Sequence, residues 1–266
     1  MNMYGFKYHR PQTIEEATKI FAACEEGSYL AGGHTLLPSM KQRLAAPTDL
    51  IDLADISSMR GIREEKDCVV IGALTKHEEV ASSELLHNAI PSIADLAGNI
   101  GDAQVRNRGT MGGSIANSDP AADYPSAVLG LGAVLVSDKR EIEADEFFLG
   151  MFETVLEEGE ILKEVRFPKP EASVYKKFPN PASRYAVVGV FVARTMGLVR
   201  VAITGAGPCV FRAREIEEIL TKDFSAEAIR NVRLDADLMN DDMHASADYR
   251  ANLCVVMAQR AVRELI

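Results

Sequence analysis

The chain has 266 residues, of which 47% are hydrophobic and 26% are charged, a composition typical of a globular protein with a substantial core. Its formal net charge of −10 argues against a nucleic-acid partner, because nucleic acids are bound chiefly by lysine and arginine. No stretch has the roughly 18 apolar residues of a transmembrane helix, and residues 1–13 contain no signal-peptide core. We therefore predict a cytoplasmic protein that binds neither nucleic acid nor membrane.

The four cysteines are scattered singly along the chain, without a C-x-x-C pair. They are Cys24, Cys68, Cys209 and Cys254. This spacing offers neither a zinc site nor the ligands of an iron–sulfur cluster. We predict structural thiols in a reducing compartment and no metal site.

The N-terminal pattern predicts the order helix, strand, loop, helix, strand. Thr13 and Glu16 form a capping box before a helical apolar pattern that ends by Gly27. A short strand over residues 28–32 leads into a glycine pair and an apolar stretch, and a second strand is predicted over residues 49–53.

The middle of the chain alternates buried strands and helices. Residues 68–74 read as a buried strand, followed by two helices separated by Pro91. A segment rich in Gly, Asn and Asp then predicts irregular backbone before a short helix with Pro125 in its first turn. Residues 133–144 read as a hairpin.

The pattern changes after a proline-rich boundary at residues 166–173. Two antiparallel strands joined at residues 195–197 are followed by two helical segments, the second over residues 246–265. In that last helix one apolar stripe is predicted to face the core. It consists of Tyr249, Leu253, Val256 and Met257.

The glycine pair Gly32-Gly33 directly follows a predicted strand. Missing side chains let backbone N–H groups converge on an anion such as a pyrophosphate, and Thr35 adds a hydroxyl donor. Taken alone, the pair is equally consistent with a tight turn that binds nothing. His34 is either a structural residue or a group that polarises a flavin or phosphate oxygen.

A second glycine segment contains Gly109, Gly112 and Gly113. Hydrogen-bonding side chains accompany these glycines, namely Thr110, Asn117, Asp119 and Asp123. Two such segments together fit a dinucleotide such as FAD, with the aspartates serving hydroxyl groups or turns. A third candidate at residues 205–210 lacks the last glycine of a Rossmann fingerprint and is predicted to be a turn.

Residues 31–53 and 105–133 closely resemble the FAD-binding medium subunit of the carbon monoxide dehydrogenase and xanthine dehydrogenase (molybdenum hydroxylase) family. The resemblance extends over essentially the whole chain and implies an α+β fold that is not of the Rossmann type. It implies a two-lobed FAD-binding domain over residues 1–170, with lobes 1–55 and 56–170. A C-terminal domain over residues 171–266, of the carbon monoxide dehydrogenase flavoprotein type, has about three antiparallel strands backed by helices.

The resemblance also assigns residues to FAD and none to acid–base or nucleophilic catalysis. The cofactor-binding set is Ala31, Gly32, Gly33, His34, Thr35, Leu36, Thr110, Gly112, Gly113, Ser114, Asn117, Asp123, Leu162 and Lys177. Within it, Lys177 is expected near the isoalloxazine ring. Residues 180–187 depart from the family pattern at positions expected to support Lys177.

The function implied by the resemblance is electron transfer within a larger oxidoreductase. A molybdopterin large subunit would hydroxylate the substrate, two-iron two-sulfur clusters of a small subunit would carry electrons, and the FAD subunit would pass them to an external acceptor. A dimer of heterotrimers is expected. The alternatives are a stand-alone flavin-dependent dehydrogenase with its own small substrate, and a nucleotide-binding assembly subunit without a redox role.

Overall fold

The computed structural model describes residues 3–266. The α-helices are α1 Ile14–Ala22, α2 Leu36–Lys41, α3 His77–Ala81, α4 Glu84–Ala89, α5 Pro91–Gly98, α6 Ala103–Arg106, α7 Met111–Asn117, α8 Tyr124–Leu131, α9 Ala144–Phe147, α10 Arg214–Lys222 and α11 Ala247–Leu265. The strands are β1 Lys7–His9, β2 Gly27–Leu30, β3 Asp49–Asp52, β4 Ile62–Glu64, β5 Cys68–Gly72, β6 Val134–Ser137, β7 Glu141–Glu143, β8 Phe148–Gly150, β9 Glu153–Thr154, β10 Leu162–Pro168, β11 Ala172–Pro179, β12 Ala186–Thr195, β13 Leu198–Thr204 and β14 Phe211–Arg212. Short 3-10 helices span Leu53–Asp55, Ser57–Met59 and Ala236–Leu238.

The first part of the chain forms a parallel three-stranded sheet with the order β1-β3-β2. The predicted order from α1 to β3 is confirmed, but β1, which precedes α1, was not predicted. The Thr13 hydroxyl accepts a hydrogen bond from the Glu16 N–H at 3.1 Å and caps α1. Since β2 ends at Leu30, the first glycine pair leaves the carboxyl edge of this sheet. That edge is where ligands commonly bind in parallel sheets.

The second part contains an antiparallel sheet with the order β4-β5-β10-β6-β7. The predicted hairpin is β6 and β7, and the predicted buried strand is β5. The prediction of two helices separated by Pro91 is wrong, because three helices form. Ser83 breaks the first segment by capping α4 through a bond from the Leu86 N–H at 3.3 Å, and Pro91 begins α5.

The second glycine segment is helical, not irregular as predicted. Thr110 has extended backbone angles, and its hydroxyl accepts from the Gly113 N–H at 3.2 Å, which caps α7. The helix ends at Ser118, whose φ of 45° is left-handed. The predicted helix around Pro125 is confirmed as α8.

The C-terminal part forms an antiparallel sheet with the order β11-β12-β13-β14, in which β14 has only two residues. Strand β12 is buried on both faces. Its Val190 packs into a core with α10 and α11, whereas Phe191 packs into the larger core that contains α5 and α8. The sheet is therefore a layer between two sets of helices.

The predicted core face of α11 is only partly correct. Leu253 and Met257 are buried, but Val256 is half-buried and Tyr249 is 46% exposed. The helix is rotated so that Arg250 enters the core, where its guanidinium donates to the carbonyls of Val187 and Gly205 at 2.7 and 2.9 Å. These buried carbonyl groups need hydrogen-bond donors. Because Arg250 supplies them, the side of α11 that carries Arg250 faces the core, and Tyr249 turns outward.

Within residues 3–266, none of the helices is both long and apolar enough to cross a membrane.

Candidate functional site

One cavity of about 560 Å³ brings the two glycine segments together. Of the fourteen predicted cofactor-binding residues, thirteen line it. They are Ala31, Gly32, Gly33, His34, Thr35, Leu36, Thr110, Gly112, Gly113, Ser114, Asn117, Asp123 and Leu162. The volume lies within the roughly 300 to 1,000 Å³ of small-molecule and cofactor sites.

The first glycine segment supplies free backbone donors. Among the residues that the structure describes, the N–H groups of residues 32–36 donate no hydrogen bond to the rest of the chain. Gly33 has a φ of +76°, a conformation that residues with side chains rarely adopt. The segment leads directly into α2, so these donors are available to a phosphate group.

Gly32 allows the two glycine segments to touch. A Cβ atom at this position would lie 2.6 Å from the Arg108 carbonyl oxygen and 2.7 Å from the Gly109 Cα. Both are backbone atoms that cannot move aside as a side chain can. The two glycine segments can therefore pack against each other only because Gly32 has no side chain.

The second glycine segment differs from our expectation, because its N–H groups are already used. Those of Met111 and Gly112 donate to the carbonyls of Thr75 and Ala73, while those of Gly113 and Ser114 donate to Thr110. Gly112 is required by packing, since a Cβ there would lie 2.3 Å from the Ala73 Cβ. This segment contributes mainly the polar side chains of residues 110, 114 and 117 to the cavity.

Asp123 is a buried residue of the cavity lining and has two partners from β11. The Tyr175 hydroxyl donates to its Oδ1 at 2.5 Å, and the Lys177 ammonium donates to its Oδ2 at 3.0 Å. Burial raises the pKa of Asp123, while Lys177 and Tyr175 oppose that rise. The structure thus shows the ion pair that supports Lys177.

Lys177 is the one predicted residue that does not line the cavity. Its ammonium also donates to the Asn99 carbonyl at 3.1 Å, so it is held by the protein on two sides. Its expected position near the isoalloxazine ring stays a prediction.

His77 lines the cavity although the sequence analysis did not single it out. Its side chain is almost fully buried, and burial, followed by the nearby His34 and Arg106, lowers its pKa to about 4. Its Nδ1 has no hydrogen-bond partner among the described residues. The imidazole is therefore neutral at neutral pH and retains an unused polar atom.

Glu160 is a second ionisable group on the cavity wall that sequence reasoning missed. Burial favours its neutral form, but hydrogen bonds from the Arg140 guanidinium, the Glu157 N–H and the Ser137 hydroxyl outweigh this and lower its pKa. Its charge is thus neutralised within the protein.

The loop between β11 and β12 contributes a further stretch of cavity wall, residues 183–185. The Arg184 guanidinium donates to the Gly101 carbonyl at 3.0 Å, and the Asn180 side chain accepts from the N–H groups of Ala182 and Ser183. Tyr185 adds an aromatic ring that is 49% exposed. No motif marks this stretch, although it lies where the sequence departs from the family pattern.

These residues fit an FAD. Free backbone donors suit a pyrophosphate, hydroxyl and amide side chains suit ribityl and ribose groups, and an aromatic side chain suits a flat ring. Combined with an α+β fold whose described residues form no Rossmann sheet, the site defines an FAD-binding flavoprotein.

Comparison with protein-family models identifies both parts of the chain. Residues 4–170 match the FAD binding domain in molybdopterin dehydrogenase, and residues 173–265 match the CO dehydrogenase flavoprotein C-terminal domain. The chain belongs to this family of FAD-binding subunits of molybdenum hydroxylases. The predicted family, cofactor and fold class are confirmed.

Known relatives match over nearly their full length. The carbon monoxide dehydrogenase medium chain of Hydrogenophaga pseudoflava is 36% identical over 275 residues, which cover 97% of this chain and 96% of the relative. The nicotine 6-hydroxylase medium subunit of Paenarthrobacter nicotinovorans is 31% identical, with 99% and 98% coverage. The solved structure of reconstituted CO dehydrogenase from Oligotropha carboxidovorans superposes with a TM-score of 0.92 at 33% identity, covering 100% of this chain and 99% of that one. The chain is accordingly an oxidoreductase subunit of a multisubunit complex.

Proposed function

We propose that this subunit takes electrons from the two-iron two-sulfur clusters of a small partner subunit and passes them to an external acceptor. A molybdopterin large subunit of the same complex would hydroxylate the substrate, and the assembly would be a dimer of heterotrimers. The observation that carries the proposal is the cavity itself. It offers free N–H groups at residues 32–36 for a dinucleotide, within a chain of the molybdenum hydroxylase family.

The chain's own residues bind and orient the cofactor in this proposal. Residues 32–36 bind phosphate, residues 110, 114 and 117 bind hydroxyl groups, and Asp123 is held in place by β11. Bound FAD supplies one-electron and two-electron redox chemistry. The protein's role is therefore placement and electrostatics.

Three of the ionisable groups that line the cavity give no support to a stand-alone dehydrogenase. Such an enzyme needs a base close to its own substrate. Asp123 is paired with Lys177, Glu160 is paired with Arg140, and His77 has a pKa of about 4. These three groups are poorly suited to accept a proton at neutral pH.

The test uses the full chain loaded with FAD, mixed without oxygen with a panel of reduced carbon and nitrogen compounds. We expect no bleaching of the flavin absorbance by the subunit alone, and substrate-driven bleaching once both partner subunits are added. Rapid bleaching of the isolated subunit would show that it is itself the dehydrogenase. A protein that stays colourless in the assembled complex would instead favour the assembly-subunit alternative.

We also propose the division into residues 1–170, with lobes 1–55 and 56–170, and residues 171–266. This division is supported by the separate core of the C-terminal sheet and its two covering helices. A cytoplasmic location is proposed with it, supported by four cysteines that form no disulfide among the described residues.

A further inference from the structure

Three side chains that are far apart in the sequence lie together in the N-terminal sheet. His9 ends β1, Cys24 follows α1, and Asp49 begins β3. One potential ligand atom of each lies within 4.8 Å of the other two. The His9 Nε2 and the Asp49 Oδ1 are 2.7 Å apart.

We propose that His9, Cys24 and Asp49 bind one divalent cation of the zinc type. Imidazole nitrogen, thiolate sulfur and carboxylate oxygen are the ligands that zinc uses in proteins, and three of them leave a fourth position for water. A thiolate ligand disfavours magnesium and calcium, which prefer oxygen. The ligand set thus selects a borderline-soft transition metal.

The geometry needs only a small adjustment. Ligand atoms in a tetrahedral zinc site are roughly 3.5 Å apart, so a pair at the 4.8 Å limit must approach by about 1.3 Å. The His9–Asp49 hydrogen bond and the 3.1 Å bond from the Cys24 thiol to the Ile20 carbonyl must also open. Binding breaks the Cys24 S–H bond and releases that proton to solvent, while three metal–ligand bonds form. The two ligand anions would balance the charge of the cation.

The surroundings of the three residues favour a defined site over a chance surface cluster. Asp49 is 5% exposed, and the Thr48 hydroxyl donates to its Oδ2 at 2.8 Å, which leaves Oδ1 toward His9. Such outer hydrogen bonds orient metal ligands. The His9 side chain is 29% exposed, so an ion can enter from solvent.

The site is separate from the cofactor cavity, which none of the three residues lines. A bound ion would tie β1 and β3 to the end of α1. Strands β1 and β3 belong to the same sheet as β2, the strand that residues 32–36 follow. We therefore expect metal binding to stabilise the N-terminal sheet without taking part in electron transfer. Local ligand spacing predicted no metal site, because these three residues are far apart in the sequence.

Cobalt(II) tests the site in the full chain after treatment with a chelator. We expect one equivalent of Co²⁺ to produce a thiolate-to-cobalt absorption band in the near ultraviolet, and Zn²⁺ to remove it by displacement. Cys24→Ser should abolish the band, while His9→Gln and Asp49→Asn should each weaken binding by at least roughly tenfold. Neither readout depends on FAD or on partner subunits.

The matched controls are Cys68→Ser and Cys209→Ser, which remove half-buried thiols elsewhere and should leave the band unchanged. Circular dichroism verifies that each variant is folded. If Cys24→Ser does not fold, the His9 and Asp49 variants provide the test. Absence of the band in the unaltered chain, or a full band at one equivalent in folded Cys24→Ser, would overturn the proposal.

Discussion

Neighbouring glycines in α7 have different reasons for lacking a side chain. A Cβ at position 112 would collide with the Ala73 Cα and carbonyl oxygen as well as its methyl group. A Cβ at position 113 would meet the Thr110 hydroxyl at 2.7 Å, and the next neighbour, the Ala31 Cβ, lies at an ordinary 3.5 Å. Gly112 is therefore a packing requirement, whereas Gly113 borders the cavity.

We predict that Gly113→Val abolishes FAD retention while leaving much of the fold intact. The added methyl groups would enter the cavity beside residues 32–36 and disturb the cap of α7. Flavin per chain, measured by absorbance after acid release, is the readout. Gly5→Val is the control, since among the described residues no atom beyond the two chain neighbours lies within 4 Å of a Cβ there. A flavin-replete Gly113→Val protein would contradict the assignment.

His77 predicts a pH dependence of folding. Its pKa of about 4 in the folded chain lies below its ordinary value of 6.5, so the unfolded chain binds more protons between these pH values. The stabilisation is fully present above pH 6.5 and is lost as the pH falls toward 4. From pH 7 to pH 5 the loss amounts to about 2 kcal/mol.

Urea unfolding of the flavin-free chain at pH 7 and pH 5 measures this loss. In His77→Gln the difference between the two pH values should shrink by about 2 kcal/mol. His87→Gln, which alters an exposed histidine, should leave it unchanged. If the free energy of unfolding changes equally between pH 7 and pH 5 in His77→Gln and in the unaltered chain, His77 is not the source of the pH dependence.

At the scale of elements, alternate residues of β11 hold the start of α8. Tyr175 and Lys177 lie on one face of the strand, as the two-residue period of a strand requires, and both bind Asp123. Lys176 faces the other side and pairs with Glu264. Lys177 thus forms a buried ion pair with a carboxylate, and Lys176 forms a more exposed one.

We predict that Lys177→Met lowers the free energy of unfolding by about 3 to 5 kcal/mol, because it leaves a buried carboxylate without its cation. The double variant Lys177→Met with Asp123→Asn should regain much of this loss. Lys176→Met, whose partner is 52% exposed, should cost at most about 1 kcal/mol. Urea unfolding measures all three, and equal losses for the two lysines would contradict the argument.

At the scale of the whole molecule, an apolar hairpin lies beside the cofactor cavity. Leu149, Met151 and Phe152 are each more than half exposed. The hairpin is attached to Ser118, which lies between the cavity-lining residues 117 and 119. The Phe152 N–H donates to the Ser118 carbonyl, and the Ser118 hydroxyl donates to the Gly150 carbonyl. An exposed apolar patch of this kind commonly marks an interface.

We predict that this hairpin contacts the iron–sulfur subunit, since electron transfer requires close approach to the cavity. Replacing Leu149, Met151 and Phe152 together by Ser should reduce co-purification of the partner subunits, while the isolated chain keeps its fold and its FAD. The control is Met196→Ser with Leu198→Ser, two exposed apolar residues at the β12–β13 turn. Normal assembly of the triple variant would exclude the hairpin from the interface.

Local patterns determined much of the fold from sequence alone. The Thr13 cap, β2, β3, the β12–β13 pair and both glycine segments were recognisable, because capping, side-chain periodicity and glycine conformations involve residues close together in the chain. The family resemblance then identified FAD and thirteen residues that line one cavity.

Tertiary structure alone decided how these parts meet. The helical form of the second glycine segment depends on Thr110 and on hydrogen bonds to residues 73 and 75. The Asp123–Lys177 pair, the cavity wall at residues 183–185 and the grouping of His9 with Cys24 and Asp49 join residues distant in sequence. Such contacts are set by how helices and sheets pack, and no local pattern of residues encodes them.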